Sequence, residues 1–203
     1  MLKLTGDGLK KLKMKILKQN RKTKYTKMVI QDSLIGLMKE KSISKITIKE
    51  ICEHADINRT TFYAHYTDQY QLLNSIEEET LSWVKEIIAG FSGKTDKKDF
   101  ISNIEKVFEY LIENRNHIQI LMSEQGDIAF QRDLLSVIYE QCGIWLVNDS
   151  NADAGKSELY FVFLVSGSVG LIQHWLKTGL NETAGEMSEI IYDMAHNQFG
   201  KFA

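Results

Sequence analysis

Not one proline interrupts the 203 residues. Proline removes a backbone donor and clashes inside helices, so its absence, beside abundant Leu, Ile, Lys and Glu, implies an all-helical chain. Punctuation is left to 13 glycines. Cysteine is nearly as scarce: Cys52 and Cys142 fit no metal or redox spacing, and both read as small core residues in a reducing compartment. No stretch reaches the ~18 uninterrupted apolar residues of a membrane span, and the N-terminus lacks the apolar run of a secretory signal. The expectation is a cytoplasmic protein with no membrane partner. Catalytic signatures are missing too. Gly6-x-Gly8 has no strand before it, no His-Glu-x-x-His pair occurs, and no serine has a believable His and Asp framework, so no enzyme, metal or cofactor is expected. His117, His174 and His196 read as structural.

What is present begins with charge. The net charge of −2 hides an asymmetry: through Tyr70 fifteen Lys and Arg oppose seven Asp and Glu, while the remainder holds ten against twenty. One end is suited to a polyanion. Residues 9–18 place Leu9, Leu12 and Ile16 on one helical face amid five lysines. Such an arm fits phosphates or a minor groove, with a flexible extension and a membrane-surface helix as the other readings.

Residues 47–73 carry the most specific pattern. Thr47 followed by Glu50 is a capping box, and Ile48, Ile51 and Ala55 then recur at helical spacing. Asp56 ends that helix, being one of the few non-glycine types that tolerates a left-handed backbone. Asn58 caps the next helix, with Ile57 and Phe62 placed as a hydrophobic staple. Phe62 and Tyr66 then turn inward and leave Arg59, Thr60, Thr61, Tyr63 and Ala64 outward, a guanidinium, hydroxyls and a phenol able to bond base edges or phosphates. A helix before this pair, over about 25–39, completes a three-helix head.

This segment resembles the DNA-binding domain of the TetR family of transcriptional regulators, through the signature Thr61-Phe62-Tyr63-Ala64-His65-Tyr66 and over roughly residues 24–73. The resemblance implies an all-α fold, with a three-helix helix-turn-helix domain followed by a helical dimerisation and effector domain. It implies phosphate contacts at Thr47, Tyr63 and His65, with Arg59 and Thr60 nearer the bases; Asn58 and Thr61, at the exposed first turn, are further candidate DNA contacts from the reading of the helix itself. Three positions depart from the family pattern. Asp56 replaces the turn glycine, Ser42 an earlier glycine, and Gln69 a phosphate-gripping lysine. Lys24 and Lys27 are candidates to restore that charge.

From Asp68, a plausible N-cap, a helix is expected to about Ile88, with Glu77, Glu78 and Glu79 read as a solvated face. Further helices are expected at 97–114, 117–122, 128–147, 156–178 and 185–199, with a loop at 148–155. The helix at 156–178 is apolar nearly all round, which implies burial on more than one side, against its own core and a second subunit. Gly167, Val169, Gly170, Ile190, Ile191 and Met194 are the candidate homodimer interface. Trp83, Phe108, Tyr139, Trp145, Phe163, His174 and Trp175 are the candidate lining of a small apolar effector's pocket, with plain core packing as the alternative. The run Gly170–Gly179 is similar to a subgroup that includes a coactivator of dihydroxyacetone kinase expression. The chain is therefore expected to comprise a basic arm (1–20), a head (21–70) that binds a double-stranded DNA operator, and a regulatory domain (71–203). An effector-released repressor is the leading reading. A coactivator whose C-terminal domain docks a protein partner is the alternative.

Overall fold

Thirty-three consecutive residues, Gly6–Met38, form the first helix, α1. The sequence suggested a start near residue 25, but no proline stands between Gly6 and that point, and Lys, Leu, Met and Ile all favour helix. In this computed structural model the backbone is described for residues 6–89, 97–146, 154–179 and 181–199, and side chains for 21–89, 97–138, 159, 162–179 and 181–194. The expected loop at 148–155 and Cys142 lie largely or wholly outside those limits. Every element among the described residues is helical, and none is long and apolar enough to cross a membrane.

The chain divides into two compact units after Ile76, within one helix. In the first, α1 is followed by a 3-10 turn at Ile43–Lys45, then α2 (Ile48–His54) and α3 (Arg59–Tyr63). Its core is Ile30, Leu34, Ile35 and Met38 of α1 with Ile46, Ile51, Phe62, Tyr66 and Leu72, all essentially excluded from water. Helix α4 (Gln69–Ala89) is capped as expected: the Gln71 N–H donates to Asp68 Oδ1 at 2.8 Å.

In the second unit, α5 (Lys97–Glu113), α6 (Arg115–Leu121), α7 (Ile128–Leu146), α8 (Ala154–Thr178) and α9 (Ala184–Phe199) follow the end of α4. Phe108, Leu111, Ile118, Trp175, Leu176, Met187 and Ile191 form its core. Side chains of α6 fasten the end of α8, with Arg115 Nη2 and Gln119 Nε2 both donating to the Leu176 carbonyl, at 3.0 and 2.6 Å. Those bonds satisfy a carbonyl that the last turn of a helix leaves without an internal partner. In the α6–α7 turn, Gly126 sits where a Cβ would lie 2.1 Å from the Leu121 carbonyl oxygen, so no other residue fits.

Candidate nucleic-acid interface

The reading helix α3 is short and is set by its caps. Thr47 N–H donates to Glu50 Oε2 at 2.9 Å and Glu50 N–H returns a bond to Thr47 Oγ1 at 3.3 Å, which closes the capping box and starts α2. The Lys41 ammonium, bonded to Glu50, and then the Thr47 bonds hold the Glu50 carboxyl down to about 2. Helix α2 stops at Asp56, which adopts φ 50, the left-handed turn expected from its type. Asn58 Oδ1 then accepts from the Thr61 N–H at 2.8 Å and from Thr61 Oγ1 at 2.9 Å. Both side chains are therefore occupied by the start of α3.

The consequence is a division of labour along five residues. Phe62 is fully buried and packs 6.0 Å from the Tyr66 ring, while Arg59, Thr60, Tyr63 and Ala64 are exposed. Thr61 and His65 are half-buried. Arg59 and Tyr63 share a groove of about 550 Å³ with Ser44, Ile46, Thr47, Ile48, Lys49 and Gln69. This groove joins the starts of α2, α3 and α4. Lys24 and Lys27 are exposed on α1 and do not line it; its cations are Lys49 and Arg59. Lys49 was absent from the sequence-derived candidates, although its position two residues after the Thr47 cap was a readable signal. Cys52 is buried on α2, and burial raises its thiol pKa, consistent with a core role.

The pocket candidates of the second unit are not gathered around one opening. Phe108 and Trp175 are packed edge to face at 5.1 Å inside the core, and Trp175 Nε1 donates to the Glu182 carbonyl. Trp83 stacks on Tyr110 at 3.6 Å, while Phe163 and His174 are exposed. Tyr139 and Trp145 lie outside the described side chains. Among the interface candidates Gly167, Gly170 and Met194 are exposed, Val169 and Ile190 are half-buried, and Ile191 is buried in its own subunit.

The acidic run at 77–79 needs correction. Glu78 and Glu79 are exposed, but Glu77 is only 8 % exposed and Thr80 only 4 %. The apolar stripe of α4 runs Leu73, Glu77, Thr80, Val84, Ile88, at helical spacing, so Glu77 occupies a core position of the helix. Three consecutive acids hid that register.

Residues 98–197 match the family model described as a transcriptional regulator C-terminal region, of the TetR type. That half of the chain is the C-terminal region of a TetR-type transcriptional regulator. An uncharacterised HTH-type transcriptional regulator of Bacillus subtilis (strain 168), YxbF, is 20 % identical over 182 residues, which is 85 % of this chain but 46 % of that relative. The chain thus spans about half the length of that relative. Among solved structures, the dihydroxyacetone kinase operon activator DhaS is similar at a TM-score of 0.56 and 19 % identity, covering 87 % of this chain and 97 % of that one. NalD, the secondary repressor of the MexAB-OprM multidrug efflux pump in Pseudomonas aeruginosa, is similar at 0.60 and 16 %, covering 86 % and 96 %. Both likenesses are of fold.

Proposed function

We propose that this TetR-type regulator acts as a homodimeric repressor that binds a pseudo-palindromic operator through α3 and is released by a small effector held in its helical domain. The observation that carries the operator reading is the placement of Arg59, Thr60 and Tyr63, exposed on a helix whose start is fixed by Asn58 and whose inner face is anchored by Phe62. Thr47 and Lys49 flank the same groove and serve phosphates, and the surplus of basic residues through Tyr70 supplies the sequence-independent attraction. His65, Lys24 and Lys27 add contacts at the edge.

An effector releases DNA only by binding the released geometry better, and a shift from mostly bound to mostly free takes about 5.5 kcal/mol of differential affinity. A second reading, a coactivator that docks a protein partner, is favoured by the likeness to an operon activator and by the packing of Phe108 and Trp175 into solid core. Selection of DNA by the full-length chain from a random pool tests the first reading. The expected product is an inverted repeat with half-sites at least one helical turn, about 34 Å, apart. A selected pool without sequence preference overturns it.

A further inference from the structure

Glu77 stands on the inner face of α4 with its Oε1 atom buried and without a hydrogen-bond partner among the described residues. A buried carboxylate without a partner is costly, and such groups are normally paired. The nearby charge that acts on it is the Asp127 carboxylate, of the same sign, and this makes the position hungrier for a cation. Asp127 is itself occupied, accepting from the Ala129 N–H at 2.7 Å as α7 begins.

Thr80 lies three residues on from Glu77 and Trp83 three beyond it, so the row advances about 9 Å along α4. From α5, Tyr110 bonds the Thr80 hydroxyl and stacks flat on Trp83, at 11° between rings. One end of the row is an unpaired acid and the other an aromatic wall. A divalent metal ion is a poor fit, since it asks for about six oxygen ligands and two carboxylates, one already bonded, fall short.

We infer that Glu77 is the recognition point for a positively charged effector, a small amine or amidine whose cationic group meets Glu77 Oε1 and whose apolar body lies toward Trp83 and Tyr110. This rests on the effector-responsive reading above and gives the effector a chemical class: it carries one positive charge at one end and a ring or short hydrocarbon at the other.

The test uses full-length protein at pH 8 with benzylammonium and phenethylammonium as probes, and benzyl alcohol and phenethyl alcohol as their neutral counterparts, titrated calorimetrically. Wild type is expected to hold the ammonium probes about tenfold more tightly than the alcohols, as a charge-assisted hydrogen bond provides. Glu77→Gln is expected to lose that preference, and Glu78→Gln, at an exposed neighbour, to keep it. Equal affinity for both probe types, no binding of any probe, or a preference that survives in Glu77→Gln overturns the inference. The same preparation is titrated with the DNA it selects. Operator binding without a cation preference overturns the effector class alone, whereas absence of DNA binding overturns the regulator reading.

Discussion

Arg59 and Tyr63 are free to face outward because Phe62 and Tyr66 take the inner side of the same turns. Arg59→Ala and Tyr63→Phe are therefore expected to leave folding intact and to weaken binding to selected DNA, by about 1–3 kcal/mol where a base or charged phosphate contact is lost. Fluorescence anisotropy at fixed salt measures this, and unchanged affinity in both variants would show that α3 is not the reader. Glu77 makes the opposite kind of demand. Burial first, and then Asp127, push its carboxyl from an ordinary 4.5 up to about 7. Between those values the folded chain holds a proton that the unfolded chain has released, so stability falls as pH rises through the window and levels off above it. Glu77→Gln cannot ionise and is expected to be more stable than wild type by about 1–3 kcal/mol at pH 8, with the gap closing near pH 4. Thermal melts at the two pH values decide it. A gap of the same size at both would mean that the carboxyl ionises freely in the folded chain.

At the scale of elements, α1 is where charge and length combine. Residues 6–20 continue the helix of the head, adding about 22 Å of rod, and the sequence of that stretch is rich in lysine. Deleting residues 1–18 is expected to lower affinity for all DNA sequences alike and to flatten its salt dependence, by about 0.9 in the log–log slope for each lysine that neutralises a phosphate. An unchanged slope in the truncated chain refutes the role. Legibility at this scale follows range. The Thr47 and Asn58 caps, the Asp56 turn and the Asp68 start of α4 are set by residues within four positions of each other, and all were readable in the sequence. Periodicity already placed α9 at 185–199, and the same rule fixes its start, where the Thr183 N–H and Glu186 Oε2 bond at 2.8 Å in a capping box that went unread. Arg115 and Gln119 on the Leu176 carbonyl join residues 61 and 57 positions apart, and no spacing rule reaches that far.

For the whole molecule the open question of assembly turns on α8. Its buried stripe includes Val165, Trp175 and Leu176, while the opposite side leaves Leu159, Val162 and Phe163 exposed at 71, 42 and 69 %, in line with Gly167 and Gly170. A Cβ at either glycine would meet nothing within 4 Å, so that side lies open among the described residues. Met194 of α9 is also exposed, at 49 %. A row of large apolar side chains beside two glycines suits close approach by the same surface of a second copy, since a two-fold interface must be self-complementary. The burial of Ile191 makes it a poor probe of that contact, because a charge there would be forced into the subunit's own core. Phe163→Glu and Met194→Glu are the better probes: each is expected to leave helical content unchanged while shifting the chain from dimer to monomer in sedimentation equilibrium. The monomers should lose most operator affinity with α3 intact, because one head alone grips a single half-site. If both variants sediment as dimers, the copies meet through another face.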